Sequence, residues 1–492
     1  MKPPRLELAD VFRAHQSDFL ACWGHVLSPQ QKKALRDIRD CRTAALGGRL
    51  QECEQCGHRL FLFNSCRNRN CPKCQASVRA QWLTDRETEL LPVEYFHVVF
   101  TVPPQIASIA LQNARTIYGI LFRAVSETLL TIAADPKRLG AAIGFPAVLH
   151  TWGQNLHLHP HIHCVVPGGG LSPDQSRWIS CRKSFFLPVK VLSRFFRKRF
   201  LIHLCLAFQQ GKLQFCGSLE SLSEPAAFEA LCFQAGQAEW IVYAKPPFGG
   251  PDQVLKYLAR YTHRVAISNR RLLAMADGRV TFEWKDYAVG RESKTMTLQA
   301  VEFIRRFLLH VLPSGFVHIR HFGFLANRKR KEQLALCRAL LSDRGMLTGS
   351  GTDSPRNRNS IPDERLARRC PVCKTGHLIV IQVLTAAACA FFAHAADRRH
   401  VMTAMEIRRS DASHVTRPRK GDTRSSSSEA RFLTPEELAP VHRHQFPPTP
   451  PQHYNFRPAV VRASTASATT SDSGSYSIPI AFAPAQLNEF YR

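Results

Sequence analysis

The segment HLHPHIHCVVPGGG contains four histidines at alternate positions, residues 157, 159, 161 and 163. Side chains alternate between the two faces of a β-strand, so His161 and His163 are predicted to lie on one face, where both can bind one metal ion. Pro160 removes a donor from strand pairing, and the four histidines are therefore not expected to form one row. His159 is predicted to lie at the mouth of the strand, and the role of His157 stays open. The alternative for any single histidine is a hydrogen-bonded core residue.

Two tyrosines further along the chain carry a second chemical signal. In QVLKYLARYTHRVAISN, Tyr257 and Tyr261 are four residues apart, which puts them on one face of a predicted helix. A tyrosine hydroxyl, with a pKa of about 10, is a poor nucleophile unless a cation stabilises the developing charge. A metal ion on His161 and His163 would supply that cation at a phosphodiester, and attack by tyrosine would leave a covalent phosphotyrosine. The alternative is that both rings pack into the core.

The stretch CEQCGHRLFLFNSCRNRNCPKCQ contains two Cys-x-x-Cys pairs separated by fourteen residues. Each pair is typical of a tight turn whose two thiolates bind one ion, and a hairpin in the spacer can bring the turns together. The pattern predicts one structural zinc site; the alternative is buried thiols without metal. The four predicted zinc ligands are Cys53, Cys56, Cys71 and Cys74, and the spare ligands between the pairs are His58 and Cys66.

A third group of potential ligands occurs in CPVCKTGH, which contains Cys370, Cys373 and His377. Three ligands without an evident fourth indicate either half of a metal site or a plain turn, and the spacing leaves both open.

The elements that must position these residues form a mixture of helices and antiparallel strands. Ser28 is a predicted N-cap before Pro29, YFHVVFTVP from Tyr95 is a predicted strand, and further strands are predicted at FPAVLHTWG and at the histidine run. The dipeptide Asp277-Gly278 is the predicted turn of a hairpin. Because no regular βαβ repeat is present, the fold class is predicted to be α+β.

The charge and cysteine content of the chain indicate which binding partners are compatible with it. Lysine and arginine total 66 against 38 acidic residues, a formal net charge of +28. An excess this large is typical of a nucleic-acid partner; a membrane surface or a solubilising basic surface is the alternative. The N-terminal sequence has no apolar signal region, so the sixteen cysteines are predicted to be reduced thiols or metal ligands. The apolar run at residues 378–395 predicts a strand and an alanine-rich segment rather than a membrane span.

Changes in composition predict four regions. Residues 1–92 form a small helical, zinc-binding, DNA-binding domain, and residues 93–342 form the domain that carries the histidines and tyrosines. Residues 343–380 form a linker with the third cysteine group. Residues 381–492 become rich in serine, proline and threonine and are predicted to be a largely disordered tail.

Together these motifs resemble rolling-circle transposases of the His-hydrophobic-His (HUH), two-tyrosine class, which move bacterial insertion sequences. The resemblance rests on the cysteine-rich segment, YFHVVFTVP, HPHIHCVVPGGG, YLARYTHRVAISN and HIRHFGFLANRKRK in this order, and it covers about residues 10 to 380. It implies a nuclease core with a central antiparallel sheet and flanking helices, the histidine pair on a central strand and the tyrosine helix facing it. It also implies cleavage of single-stranded DNA at an element end through a 5′-phosphotyrosine link.

The resemblance assigns roles by position. His161 and His163 would bind Mg²⁺ or Mn²⁺, Tyr257 and Tyr261 would be the nucleophiles, and Cys53, Cys56, Cys71 and Cys74 would bind structural Zn²⁺. A third metal ligand is expected, and the candidates are His159, Gln154 and Asn155.

Two other functions remain open from sequence. One is a plasmid rolling-circle replication initiator with the same chemistry, which the zinc segment disfavours. The other is a zinc-dependent DNA-binding regulator, in which the histidines and tyrosines are only structural. Single-stranded element ends and target DNA are the expected partners, with no membrane partner, in the bacterial cytoplasm at the nucleoid; a homo-oligomer is compatible with the sequence.

Overall fold

The structure is a computed structural model that describes residues 6–75, 89–245, 265–286, 292–343 and 368–389. All of these residues belong to one compact unit, Met1–Arg399. The predicted tyrosine helix, the linker at residues 345–360 and the serine- and proline-rich tail lie outside the described residues.

Helices and strands alternate irregularly along the described chain. The helices are α1 (Leu8–Trp23), α2 (Pro29–Arg39), α3 (Pro104–Gln112), α4 (Ala114–Ala134), α5 (Val189–Gln209), α6 (Pro225–Gln237), α7 (Ala300–Leu308) and α8 (Arg330–Ser342). The strands are β1 (Gly48–Cys53), β2 (Arg59–Phe63), β3 (Tyr95–Thr101), β4 (Gly144–Trp152), β5 (Leu158–Pro167), β6 (Gly169–Leu171), β7 (Trp178–Ser180), β8 (Val242–Lys245), β9 (Leu272–Ala276), β10 (Arg279–Asp286), β11 (Glu292–Gln299), β12 (Ile319–Gly323), β13 (Arg368–Arg369) and β14 (His377–Leu384).

The largest sheet among the described residues has five strands in the order β12-β4-β5-β3-β8, and every pairing is antiparallel. Helices α3 and α4 pack against β5, and α5 packs against β8. The face towards these helices is apolar: Ile162 and Phe100 are fully buried, and the Phe100 ring contacts Phe196 of α5 at 5.1 Å between centroids. Side chains of opposite parity on β5, including His161 and His163, therefore lie on the other face. The predicted α+β class with a central antiparallel sheet is confirmed.

One described helix, α4, is long and apolar enough to cross a membrane by length and composition. Twelve of its side chains are buried against the sheet and α5, which is typical of a core helix in a globular domain.

A second core joins the N-terminal helices to the region after the tyrosine segment. Helix α1 packs on α2 and α7, and the hairpin β9–β10 continues into β11 to form a three-stranded sheet. Phe12 of α1 meets Phe307 of α7 edge to face, with 5.6 Å between ring centroids. Residues of the predicted 1–92 domain therefore share one core with residues 266–308.

Local signals in this region are confirmed. Ser28 caps α2, accepting the backbone N–H of Gln31, and Pro29 is the first helical residue. The turn of the β9–β10 hairpin is Asp277-Gly278, with φ values of 50° and 68° that match a type I′ turn.

A third sheet has the order β13-β14-β1-β2, so β14 is hydrogen-bonded to β1 along its length. The strand predicted in the apolar run after Leu378 is confirmed as β14. The predicted domain boundary between residues 380 and 381 falls inside this strand, because the pairing with β1 holds residues 378–384 in the sheet.

Candidate active site and metal centres

The hairpin β4–β5 brings three histidines together at the centre of the largest sheet. His150 of β4 pairs with His161 of β5, and His163 lies two residues further along the same face. One ring nitrogen from each lies within 4.8 Å of the others. The ring centroids of His150 and His163 are 4.5 Å apart, and those of His161 and His163 are 4.8 Å apart. Three converging imidazoles could hold one divalent metal ion.

Hydrogen bonds orient two of these rings. Nδ1 of His161 lies 2.6 Å from the carbonyl oxygen of His159, so it must carry the proton and donate to that oxygen. Nδ1 of His163 lies 2.8 Å from Nε2 of His97, on the neighbouring strand β3. A proton on Nδ1 of each ring leaves the metal-binding lone pair on Nε2, which is the usual arrangement around a metal-binding histidine.

His97 is suited to accept the proton of His163. It is 6% exposed, and burial lowers its pKa to about 4, so the ring is neutral at pH 7. A neutral imidazole has one donor and one acceptor nitrogen, and an acceptor at Nε2 fixes the orientation of His163. The two rings stack nearly parallel, with an interplanar angle of 9°.

The turn between β4 and β5 is held by residues from the second core. His310 contacts the Thr151 hydroxyl through Nδ1 at 3.2 Å and the Leu156 carbonyl through Nε2 at 3.1 Å. The Arg271 guanidinium donates to the carbonyl of Gln154 in the same turn. Leu156 has a positive φ of 63° and is fully buried. The hairpin that presents the histidines is therefore fixed at its tip as well as in the sheet.

The third histidine that converges with His161 and His163 is none of the three candidates that the sequence offered for a third metal ligand. His159 is exposed, and its ring lies outside the converging group; its carbonyl orients His161 instead. Gln154 and Asn155 lie in the turn, where the side chain of Asn155 contacts His157. His150 is instead the third histidine of the converging group. It could have been found from the sequence, because FPAVLHTWG precedes the histidine strand by one short turn and a hairpin must bring its end close to that strand.

Pro160 does not interrupt the strand. β5 runs through it, and its carbonyl accepts the backbone N–H of Val102 just beyond the end of β3. The missing N–H is tolerated because β3 pairs with β5 only up to the position opposite His161.

The four cysteines predicted to form one zinc site are divided between two clusters. Cys53 and Cys56 lie at the tip of the β1–β2 hairpin, whereas Cys71 and Cys74 follow after β2 has returned. Strand β2 has five residues and a length of about 17 Å, and it separates the first Cys-x-x-Cys pair at the tip of the hairpin from the second pair beyond its base. The two pairs therefore cannot bind one ion. The expected grouping is therefore wrong, although each of the four cysteines lies in a group with metal-binding geometry.

The first cluster consists of Cys41, Cys66, Cys71 and Cys74, whose sulfurs all lie within 4.8 Å of one another. Cys74 lies 3.6 Å from both Cys41 and Cys66. Hydrogen bonds from the thiols of Cys66 and Cys71 hold the pKa of Cys74 well below its usual value, whereas contacts with Cys71 and Cys74 raise the pKa of the Cys66 thiol. The sequence pattern includes Cys66 as a spare ligand, whereas Cys41, just after α2, carries no spacing signal that could identify it.

The loop that carries the first cluster is fixed to the chain that follows α7. The Arg69 guanidinium donates to the carbonyl oxygens of Leu312, Pro313 and Phe316, at 2.7–3.1 Å. Lys73 forms an ion pair with Glu7 before α1. The cluster thus links the N-terminal helices to the chain that follows α7.

The second cluster consists of Cys53, Cys56, Cys370 and Cys373, again with all sulfurs within 4.8 Å. The third cysteine group of the sequence is therefore half of a four-cysteine site. His377 lies outside the four sulfurs and pairs with Glu54 at 3.0 Å. The predicted nucleophiles Tyr257 and Tyr261 lie outside the described residues.

Comparison with known proteins identifies the class of protein that this fold and these sites define. Residues 144–333, which include β4 and β5, match the family described as "Putative transposase", and residues 11–102 match the family described as "Transposase zinc-binding domain". No solved structure matches the chain. The molecule is a transposase, a class of protein that acts on DNA.

Two relatives define the family more closely. The chain is 56% identical over 381 residues to "Putative transposase y4qJ" of Sinorhizobium fredii, covering 77% of this chain and 95% of the relative. It is 30% identical over 333 residues to "Transposase for insertion sequence element IS801" of Pseudomonas savastanoi pv. phaseolicola, covering 65% and 76% respectively. The chain belongs to the insertion-sequence transposase family that includes the IS801 protein.

Proposed function

We propose that this transposase cuts single-stranded DNA at the ends of its element through Tyr257 and Tyr261, and transfers the strand by a rolling-circle mechanism. The observation that carries the proposal is the convergence of His150, His161 and His163 on the central sheet of a chain from a transposase family. Ring nitrogens held at a sheet surface can bind a metal ion against a phosphate.

The donor set fits a divalent transition ion. Imidazole nitrogens suit such ions, whereas Mg²⁺ prefers oxygen ligands, so we propose Mn²⁺ ahead of Mg²⁺ for this site. When bound, the ion would polarise the scissile phosphate and neutralise charge that develops on its oxygens. His97 and the carbonyl of His159 would keep the ring nitrogens aimed at the site.

The proposed chemistry is a direct exchange of phosphate esters. The hydroxyl oxygen of one tyrosine attacks phosphorus, the tyrosine proton leaves to solvent, and the bond from phosphorus to the 3′ oxygen breaks. The 3′ oxygen takes up a proton and leaves as a hydroxyl, and the 5′ phosphate stays on the tyrosine. Because one ester replaces another, attack by a different 3′ hydroxyl can reverse the step without ATP. Two tyrosines allow two such steps in succession.

The chain on either side of the tyrosines is anchored beside the histidines. Lys245 pairs with His97 at the edge strand β8, two strand spacings, or about 10 Å, from β5. Twelve residues lead from Lys245 to Tyr257, and they can span up to about 40 Å when extended or about 18 Å as a helix. After the tyrosines, Ile267 packs in one core with Leu156 of the β4–β5 turn. These anchors support attack by the tyrosines at the histidine cluster.

We further propose that the first cysteine cluster binds structural Zn²⁺. A closed set of four thiolates is the common structural zinc site, and all four cysteines lie within the residues that match the zinc-binding domain. A cytoplasmic, nucleoid-associated location and assembly into a homo-oligomer remain predictions from the sequence.

The experiment is a covalent-adduct assay with labelled single-stranded oligonucleotides from the DNA that flanks the transposase gene, in the presence of Mn²⁺. A 3′-end label should move with the protein on a denaturing gel, whereas a 5′-end label should be released, because the 5′ phosphate stays on tyrosine. Replacing both Tyr257 and Tyr261 by Phe should abolish the adduct.

The matched control is Tyr243→Phe. Tyr243 of β8 lies opposite Val99 on the same face as the histidines and is half exposed, so it is the described tyrosine placed to compete as nucleophile. Adduct formation should be unchanged in this variant. An adduct that survives the double replacement contradicts the proposal. No adduct with the wild-type protein would instead favour a DNA-binding regulator without nuclease activity.

A further inference from the structure

The second cysteine cluster is built from two matching turns. In each Cys-x-x-Cys pair the next residue has a left-handed conformation, with φ of 68° at Gly57 and 61° at Lys374. The backbone N–H of Gly57 donates to the carbonyl of Cys53, and that of Lys374 donates to the carbonyl of Cys370, each at 3.0 Å. Both turns therefore direct their two sulfurs to one side.

The distances between sulfurs fit a tetrahedral metal site. Cys53 and Cys373 are 3.6 Å apart, as are Cys56 and Cys370. A zinc ion with four bonds of about 2.3 Å to sulfur sets the sulfurs roughly 3.8 Å apart, whereas a disulfide needs about 2.05 Å. The spacing in this cluster agrees with shared coordination and excludes a bond between sulfurs in this geometry.

Backbone N–H groups donate to both sulfurs of the Cys370–Cys373 turn. The N–H of Val372 points at the sulfur of Cys370 at 3.4 Å, and that of Gly376 points at the sulfur of Cys373 at 3.3 Å. Donors to sulfur stabilise the charged form of the ligand. Gly376 also allows the two turns to approach, because a Cβ there would lie 2.6 Å from the sulfur of Cys53.

Polar contacts link the two turns around the cluster. Glu54 accepts from the ring and the backbone N–H of His377, and the backbone N–H of Glu54 donates to the carbonyl of His377 at 3.1 Å. The Thr375 hydroxyl donates to the side-chain oxygen of Gln55 at 2.7 Å. These contacts join residues more than three hundred positions apart in the chain.

Among the described residues, the sheet at this end has almost no apolar core apart from the cysteines. The buried cluster that they form contains Cys53, Cys370 and Leu378, with Leu60 and Cys373 packed against it. The apolar side chains in the middle of β14 face outward, 44–48% exposed at residues 379–381. A small sheet with so little buried surface needs a further source of stability, and a structural metal is the usual one.

We propose that Cys53, Cys56, Cys370 and Cys373 bind a second structural zinc ion, which joins the β1–β2 hairpin to the hairpin β13–β14. Cys370 and Cys373 lie beyond the residues matched by either family, so the site extends past the zinc-binding domain. With four thiolates and no open position, the ion would stabilise the fold rather than take part in DNA cleavage. The inference does not depend on the nuclease mechanism.

The first test is alkylation of the wild-type protein under native conditions, with mass spectrometry at each cysteine. Cys56 and Cys216 are both exposed, so without zinc both thiols are accessible to the reagent. With zinc bound, Cys56 should react at least about tenfold more slowly than Cys216, because a coordinated thiolate is a poor nucleophile. Stripping zinc with a chelator should release Cys56 and Cys373 together. Equal reaction rates in the zinc-loaded protein, or protection removed only by a reductant, would overturn the proposal.

The second test is zinc content per folded chain, measured by mass spectrometry of the metal. The wild type should contain about two ions, and the double variant Cys370→Ser, Cys373→Ser about one. In this variant Cys56 should lose its protection while Cys71 keeps it. Cys216→Ser is the matched control and should change neither value. Unchanged zinc content in the double variant, or protection of Cys56 that persists in it, would refute the shared site.

Discussion

Replacing His97 by leucine is expected to weaken metal binding without removing a metal ligand. In the wild type, Nε2 of His97 lies 2.8 Å from Nδ1 of His163, and it accepts a hydrogen bond from that nitrogen when Nε2 of His163 is the metal-binding atom. Leucine would leave that N–H facing an apolar side chain, and water cannot readily replace the partner because the position is only 6% exposed. An unpaired buried donor costs about 1–3 kcal/mol.

Part of this cost can be relieved by rotation of His163, and the rotation moves Nε2 away from the metal. Loss of such an orienting partner typically weakens metal affinity by about 10–100-fold, which corresponds to about 1.4–2.7 kcal/mol. We therefore expect the Kd for Mn²⁺, measured by isothermal titration calorimetry, to rise by that factor in His97→Leu. His97→Gln keeps an amide oxygen as acceptor and should recover part of the affinity.

The matched control is His203→Leu, which removes another buried histidine. His203 of α5 is 5% exposed and bonded to Glu127, outside the converging group. It should lower Tm but leave the Kd for Mn²⁺ within about twofold. If folded His97→Leu binds Mn²⁺ as tightly as the wild type, or if His203→Leu weakens binding as much, then His97 does not orient the metal site.

Three further outcomes follow from the geometry. His150→Ala should raise the Kd for Mn²⁺ at least about tenfold, since one of three imidazole ligands is lost, whereas equal effects of His150→Ala and His159→Ala would contradict the assignment. Burial raises the pKa of Glu127, but hydrogen bonds from its basic partners outweigh this effect and lower the pKa from 4.5 to about 2. The stabilisation of the fold by the charged carboxylate is therefore fully present above pH 4.5 and is lost as the pH falls towards 2. The unfolding free energy of Glu127→Gln should accordingly lie about 1–3 kcal/mol below that of the wild type at pH 7, and denaturant titrations should show this gap closing below pH 4. Gly323→Ala should lower stability by at least about 2 kcal/mol, because φ is +60° and a Cβ would overlap the carbonyl oxygen of Ile143. Gly211→Ala, at φ +63° with open space around it, should cost clearly less, and equal shifts in Tm would refute the clash.

Features determined by neighbouring residues were predictable from the sequence. The cap at Ser28, the strand from Tyr95 and the turn at Asp277-Gly278 each depend on a few adjacent residues whose backbone preferences agree. His161 and His163 share a face because strand side chains alternate, and this needs no knowledge of the partner strands.

Features determined by pairing across the chain were not predictable in the same way. The position of His150 directly opposite His161 depends on a register shift between His150 and Trp152. No residue pattern in the sequence predicts this shift. The two cysteine clusters depend on the pairing of β1 with β14, and proximity in sequence favoured the wrong partner for Cys53 and Cys56. Cys41 follows a helix without a second ligand nearby, so only the fold reveals its role.

The pairing of β1 with β14 has a consequence for synthesis on the ribosome. Strand β1 emerges early, but β14 is translated only after the whole histidine-bearing sheet, more than three hundred residues later. The edge of the β1–β2 hairpin that pairs with β14 must therefore remain unpaired until nearly all described residues have been synthesised. A chain that stops before residue 368 would keep that edge and two cysteines exposed, which marks a truncated product for aggregation or degradation.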